Sequence, residues 1–141
     1  MHCLIFRDFK DYLEIKKGLE NWNIPANHAD IFSISPGPDL KKIGRIFSSL
    51  EANTIIVLTS KNSVFQVSNY LKKHKISWPK ELRYIAIGKR TAEVFYEQTQ
   101  LNALYPSSFS SEHLLKMNLF QKELKKILIL GGNNGRKLIF N

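Results

Sequence analysis

Apolar positions follow two different spacings along the chain. Short runs of apolar residues have the length of β-strands, and between them apolar residues recur every three or four positions, as on one face of an α-helix. Strands that alternate with helices predict parallel pairing, because two parallel strands need a long crossover between them. The pattern therefore predicts the α/β class, with a parallel sheet flanked by helices.

The strand prediction is clearest at Thr54–Leu58, whose apolar run is typical of a parallel strand buried on both faces. The other predicted strands are Cys3–Phe6, Ala29–Ile34, Tyr84–Ile87, Leu104–Tyr105 and Ile127–Leu130. The predicted helices carry these apolar residues: Tyr12, Ile15, Leu19 and Trp22; Leu40, Ile43, Phe47 and Leu50; Val64, Val67 and Leu71; Ala92, Phe95 and Tyr96; Leu114, Leu115 and Leu119. A final helix is predicted to begin near Arg136, and the Pro/Gly cluster at 35–38 predicts a linker.

Composition narrows the class of protein. The 141 residues suffice for one compact domain, and 43% hydrophobic with 23% charged residues is typical of a globular chain. A net charge of +9 favours an anionic partner, whether nucleic acid, anionic lipid, phosphate or a polycarboxylate. The single cysteine excludes an internal disulfide and suits a reducing cytoplasm. Because no apolar run reaches the roughly 18 residues that span a bilayer, we expect a cytoplasmic protein with no membrane partner.

Motifs for common catalytic and cofactor sites are absent from the sequence. The four histidines lack the spacing of a zinc site, and neither a glycine-rich nucleotide loop nor a serine nucleophile elbow occurs. Aromatic residues are scattered rather than interleaved with basic ones, which disfavours a groove for single-stranded nucleic acid. We therefore expect neither a metal nor a cofactor.

Three loops share one design, in which an apolar strand passes through a small or polar turn into a helix. They are residues 58–62, 87–91 and 130–136. In a parallel sheet all three lie at the carboxyl edge, where open α/β folds bind ligands. Helix N-termini, hydroxyls and cations suit carboxylates or phosphates. These residues predict an anion-binding edge without specifying the anion, and the plainer alternative is that Thr59 or Ser60 simply caps a helix.

The order and spacing of several short segments resemble one enzyme family. These segments are Leu4–Arg7, Ser33–Pro36, Leu58–Val64, Ile87–Ala92, Ser110–Leu115 and Ile127–Leu138. In them the sequence is similar to the uroporphyrinogen-III synthases, with Leu58 in place of that family's usual Phe.

The resemblance implies two similar α/β domains of the three-layer, flavodoxin- or Rossmann-like type. On that map, residues 1–35 are an N-terminal strand–helix–strand fragment of the first domain. Residues 36–141 are the second domain, truncated in its last helix. The tyrosine that is the family's best candidate for a catalytic side chain has no counterpart here, so no catalytic residue is assigned.

The resemblance also implies a reaction. Uroporphyrinogen-III synthases are cofactor-free lyases of tetrapyrrole and heme biosynthesis that cyclise hydroxymethylbilane, a linear octacarboxylate, to uroporphyrinogen III with inversion of the terminal pyrrole. The substrate contacts carried over by the resemblance are Thr59, Ser60, Gly88, Thr91, Gly131, Gly132 and Arg136.

Three other interpretations remain open from the sequence. In the first, the chain is a non-catalytic module that binds tetrapyrroles. In the second, it is a homodimer in which residues 1–35 pair with a second copy, because Leu4–Phe6 would otherwise leave a strand edge open. The third is a basic nucleic-acid-binding domain, which predicts binding to unrelated duplexes with a steep salt dependence.

Overall fold

The computed structural model describes residues 1–29, 31, 33–106 and 126–132. The chain divides into two compact units, Met1–Ser35 and Pro36–Asn141. The division falls within the Pro/Gly cluster that the sequence marks as a linker. That the units correspond to parts of a first and a second family domain stays a prediction.

The Met1–Ser35 unit is a strand–helix–strand. Strand β1 (Cys3–Ile5) pairs in parallel with β2 (Ala26–His28), and helix α1 (Phe9–Glu20) connects them. The Asp8 side chain accepts a hydrogen bond from the backbone N–H of Asp11 at 3.1 Å and so caps α1. Because α1 has an apolar face, it buries Tyr12 in a small core with Ile5 and Ala26.

Two predictions in this unit are wrong. The second strand lies at Ala26–His28 rather than at Ala29–Ile34, because the buried Ala26 pairs with Cys3 while Ile31 is 69% exposed. Trp22 was predicted to belong to the apolar face of the first helix, but it lies beyond the end of α1 and is 77% exposed. The chain turns there, with a left-handed backbone at Asn23, so helical spacing does not bring Trp22 onto the buried face.

The Pro36–Asn141 unit opens with helical segments that the sequence pattern joins into one. Residues Pro38–Lys42 form a 3-10 helix and Ile43–Ser48 form α2. Asp39 forms an ion pair with Lys42 at 2.8 Å in the 3-10 segment. Ile43 and Phe47 are buried as the spacing predicts.

The remaining described elements alternate between strand and helix, as the spacing of apolar residues predicts. They are β3 (Thr54–Leu58), α3 (Lys61–Lys73), β4 (Arg83–Ala86), α4 (Lys89–Thr99) and β5 (Lys126–Leu130). The strands form one parallel sheet in the order β4–β3–β5. The class is therefore α/β, with parallel sheets flanked by helices.

Strand β3 is the point at which the order of strands reverses. From β3 the chain continues outward to β4 and then to Leu104, which makes a parallel bridge to Ile85 at the far edge of β4. Strand β5 returns to the opposite side of β3. In open α/β sheets, ligands bind at the carboxyl ends of the strands that flank such a reversal.

The core lies on both faces of β3, all of whose residues are buried. Ile56 and Leu58 pack in a cluster with residues of α2, α3 and α4, including Phe95, whereas Ile55 and Val57 belong to a second cluster. This alternation follows from the two-residue period of a strand, and burial on both faces explains the continuous apolar run.

Two predicted helices, the one marked by Leu114, Leu115 and Leu119 and the one that begins near Arg136, lie outside the described residues. Among the helices that the structure describes, none combines the length and the hydropathy needed to cross a membrane.

Candidate functional site

The turn between β3 and α3 contains Thr59 and Ser60. Ser60 has extended backbone angles, and its hydroxyl oxygen accepts a hydrogen bond from the backbone N–H of Asn62 at 3.2 Å. Ser60 is therefore the N-cap of α3. The prediction that a residue of this turn caps a helix is thus confirmed for Ser60. The cap uses one acceptor position of the hydroxyl, which also has a proton to donate.

The backbone carbonyl of Leu130, the last residue of β5, joins this turn to the neighbouring strand. It accepts hydrogen bonds from the Thr59 backbone N–H at 2.9 Å, from the Thr59 hydroxyl at 3.2 Å and from the Ser63 hydroxyl at 3.2 Å. The β3–α3 turn and the end of β5 are thus held together at the strand reversal, although they lie far apart in sequence.

Gly131 and Gly132 follow Leu130 and differ in their surroundings. A β-carbon at Gly131 would overlap the Thr59 hydroxyl oxygen, whereas one at Gly132 would meet no atom of the described residues within 4 Å. The close approach of Thr59 therefore requires glycine at 131. At 132, the glycine leaves its backbone open to an approaching group.

The turn between β4 and α4 lies at the same edge. The Ile87 N–H donates to the Leu58 carbonyl at 2.9 Å, which continues the ladder between β4 and β3 to their carboxyl ends. Gly88 is the N-cap of α4 without a side-chain cap, and Thr91, in the first turn, is 7% exposed. The starts of α3 and α4 thus present two helix N-termini at one edge of the sheet, where each favours a negative charge.

Cations accompany the start of α4. The Lys89 ammonium lies 3.7 Å from one carboxylate oxygen of Glu93, and the Arg90 guanidinium lies 3.6 Å from the other. These side chains are well exposed. Lys89 and Arg90 thus bring two cationic groups to the start of α4, where cations suit an anionic ligand. The described residues contain no group of acidic, histidine or cysteine side chains arranged to hold a metal ion.

The structure brings several predicted site residues together. Thr59, Ser60 and Gly131 adjoin one another, and Gly132 follows directly. Gly88 and Thr91 lie at the end of the adjacent strand. Arg136 lies outside the described residues.

Sequence reasoning missed Ser63 and the carbonyl of Leu130. A serine in the first turn of a helix commonly bonds a carbonyl three residues back, and Ser63 does so to Ser60 at 2.7 Å. Its second acceptor belongs to another strand, and the spacing of residues in the sequence carries no signal for that contact.

Comparison with known proteins gives one consistent result. The family model described as "Uroporphyrinogen-III synthase HemD" matches residues 15–141. The uroporphyrinogen-III synthase of Proteus mirabilis is 35% identical over 116 residues, which is 81% of this chain and 58% of the relative. That of Escherichia coli K12 is 29% identical over 141 residues, covering 99% of this chain and 57% of the relative. That of Salmonella typhimurium LT2 is 28% identical over 120 residues, or 84% and 47%.

The chain thus spans about half the length of the curated relatives that it matches. The family match covers most of the chain and includes all three loops at the carboxyl edge of the sheet. The family resemblance predicted from the sequence is confirmed: the chain belongs to the uroporphyrinogen-III synthase family.

Proposed function

We propose that this chain supplies a hydroxymethylbilane-binding surface of a uroporphyrinogen-III synthase, which cyclises that substrate to uroporphyrinogen III with inversion of the terminal pyrrole. The proposal includes a cytoplasmic location, which the single cysteine suits, and a reaction without a cofactor. Family membership supports the proposed reaction, and the geometry of the sheet edge supports the proposed surface.

The observation that carries the proposal is the contact between the Thr59–Ser60 turn and Leu130–Gly131 at the strand reversal. It places an exposed glycine backbone and two helix N-termini at one edge, with cations at the start of α4. Such an edge suits a ligand with several carboxylates better than a ligand with one, because each helix N-terminus or cation can bind a separate carboxylate.

The surface fits the demands of the reaction. Hydroxymethylbilane closes without help to the symmetric isomer I, so the protein's contribution is to hold the chain in the geometry that gives isomer III. Backbone N–H groups, hydroxyls and cations that bind the carboxylates would hold the substrate in that geometry. This role needs no strong acid or base at the reacting carbon.

The site residues have different proposed roles. The Thr59 hydroxyl directs its proton to Leu130, so we assign it to holding the two strands in place. Ser60, Gly132 and the backbone at Gly88 are the better candidates for direct carboxylate contact. Thr91, which is buried in the first turn of α4, and Arg136 stay in the proposal through the family resemblance.

The test is chromatography of the porphyrin isomers formed when the purified chain meets freshly generated hydroxymethylbilane, followed by oxidation. An excess of isomer III over a protein-free control supports synthase activity of this chain. If only isomer I forms, a fluorescence titration with uroporphyrin I, a stable octacarboxylate, shows whether the chain still binds a tetrapyrrole without catalysing the reaction. Absence of both activity and binding at modest salt overturns the proposal.

A second proposal concerns the Met1–Ser35 unit, which we infer pairs with the same unit of a second copy. In the part of this unit that the structure describes, the sheet has two strands, fewer than the three that independent stability usually needs. Large apolar side chains on its strand, loop and helix are exposed, among them Leu4, Phe6, Phe9 and Leu13. Burial in a homodimer would remove them from water.

Sedimentation equilibrium over a hundredfold range of concentration tests this pairing. A rising average mass that Phe6→Glu abolishes supports the homodimer. The matched control is Tyr96→Glu, which places the same charge at an exposed aromatic position of the other unit. A mass that stays monomeric at every concentration contradicts it.

A further inference from the structure

Three donors converge on one backbone oxygen at the strand reversal. Two of them belong to Thr59, in the turn, and the third is the Ser63 hydroxyl, in the first turn of α3. Of these three bonds, only that from Ser63 joins a residue of α3 to the end of β5, since Thr59 precedes the helix.

The Ser63 hydroxyl lies between two acceptors. Its oxygen is 2.7 Å from the Ser60 carbonyl oxygen and 3.2 Å from that of Leu130. A single proton shared between two carbonyls is a three-centre hydrogen bond, which is common at helix ends. Through it, the residue that caps α3 and the residue that ends β5 are tied to the same side chain.

The segment that follows Leu130 depends on this attachment. Gly131 and Gly132 have no side chains with which to fix their own backbone, and glycine has the largest conformational freedom of any residue. Gly131 is limited on one side by Thr59, whereas a β-carbon at Gly132 would have no neighbour within 4 Å among residues 1–29, 31, 33–106 and 126–132 that the structure describes. Within the described residues, the contacts that hold this backbone are those of Gly131 with Thr59 and of Leu130 with Thr59 and Ser63.

We propose that Ser63 is a positioning residue: it holds the Leu130 carbonyl so that the Gly131–Gly132 backbone is ordered before a ligand carboxylate arrives. The identity of that ligand rests on the proposed function. Ser63 itself does not contact the ligand in this role, and ordering a loop in advance raises affinity by reducing the entropy lost on binding.

The test compares Ser63→Ala, Ser63→Thr and Ser48→Ala. Threonine keeps the hydroxyl and bonds carbonyls three or four residues back in helices. Ser48 is the matched control because its hydroxyl donates to the Arg45 carbonyl at 2.9 Å, the same local bond three residues back, at an exposed site in α2. Ser48→Ala therefore removes a local helix bond without touching β5.

The first measurement is the NMR order parameter of the Gly131 and Gly132 amides, which reports fast backbone motion without any ligand. Ser63→Ala is expected to lower both values towards the flexible range below about 0.6. Ser63→Thr restores them, and Ser48→Ala leaves them unchanged. Unchanged order parameters in Ser63→Ala overturn the inference, whatever the chain binds.

The second measurement is the affinity for uroporphyrin I. Loss of one ordering hydrogen bond is expected to weaken binding about tenfold in Ser63→Ala, with recovery in Ser63→Thr. If the wild-type chain neither binds this octacarboxylate nor forms an excess of isomer III, although the order parameters shift, the proposed function fails and the positioning role stands. If the wild-type chain binds and Ser63→Ala binds equally well, the positioning role is wrong.

Discussion

Gly131 lies so close to Thr59 that no β-carbon fits between its backbone and the Thr59 hydroxyl. The two residues directly follow neighbouring parallel strands, and the Thr59 hydroxyl is itself held by its bond to Leu130. The hydroxyl is therefore not free to swing aside, so a side chain at 131 must move a strand end or break a hydrogen bond.

Gly131→Ala is expected to destabilise the chain by about 1–3 kcal/mol, the usual cost of forcing atoms into a packed site. Gly132→Ala is the control, because its added methyl group meets none of the side chains that the structure describes. Urea unfolding followed by circular dichroism measures both. In the double variant Thr59→Ala/Gly131→Ala the overlap is gone, so the two costs should not add. Additive costs would show that the contact is not what makes alanine unfavourable.

Substitutions at Ser60 separate its two roles. Ser60→Ala removes the cap of α3 and should cost about 1 kcal/mol, whereas Ser60→Asp keeps a capping oxygen and should preserve stability. The new carboxylate in Ser60→Asp repels an anionic ligand, so uroporphyrin I should bind at least tenfold more weakly despite normal folding. Unchanged binding in Ser60→Asp would mean that Ser60 is a cap and no part of the anion site.

Phe95 is the centre of the aromatic cluster in the core. Its ring centroid lies 4.5 Å from that of Tyr84 and 5.1 Å from that of Trp78, and its side chain is 0% exposed. Phe95→Ala should cost about 3–5 kcal/mol through lost burial and the cavity left behind. Tyr96→Ala, one residue on and 47% exposed, should cost far less. Equal unfolding midpoints for the two variants would contradict this packing.

Tyr84 gives the fold a dependence on alkaline pH. Burial raises the pKa of its phenol because the phenolate is poorly solvated in the core, and the hydroxyl donates to the Pro79 carbonyl at 2.7 Å. The unfolded chain loses this proton near pH 10 and the folded chain does not. The stabilisation from Tyr84 is thus complete below about pH 10 and declines as the pH rises above it.

Wild-type stability should therefore fall more steeply than that of Tyr84→Phe above pH 10, by about 1 kcal/mol per pH unit. The variant loses the hydrogen bond to Pro79, which lowers its stability at neutral pH by a similar amount. Urea unfolding at pH 8, 10 and 11 gives both quantities. Parallel pH curves for the two proteins would mean that Tyr84 ionises as easily in the folded state as in the unfolded one.

The sequence predicts the Pro36–Asn141 sheet well because burial and local pattern agree there. Thr54–Leu58 is a strand to the residue, since burial on both faces leaves an unbroken apolar run. In the Met1–Ser35 unit the prediction fails at β2, whose three residues, Ala26–His28, include only one buried side chain. So short a strand is specified by its partner β1 more than by its own composition.

The candidate site was predicted at the level of loops but not of contacts. Strand ends followed by Thr-Ser or Gly-Gly locate the edge because parallel strands share one polarity. Which hydroxyl reaches which carbonyl depends on the strand order. Strand β3 pairs directly with β5, although β4 and α4 lie between them in the sequence. The contact of Ser63 with Leu130 depends on this tertiary pairing, so the sequence alone does not predict it.

The place of β3 between β4 and β5 also bears on how the chain folds as it leaves the ribosome. The bond from Thr59 to Leu130 spans 71 positions, so the edge of β3 that receives β5 has no partner until that later segment has been made. At 5–20 residues per second this interval is roughly 4–14 seconds. During that time an apolar strand with one unpaired edge can bind chaperones or mispair with another nascent chain. The order of synthesis therefore exposes this topology to aggregation before β5 is available.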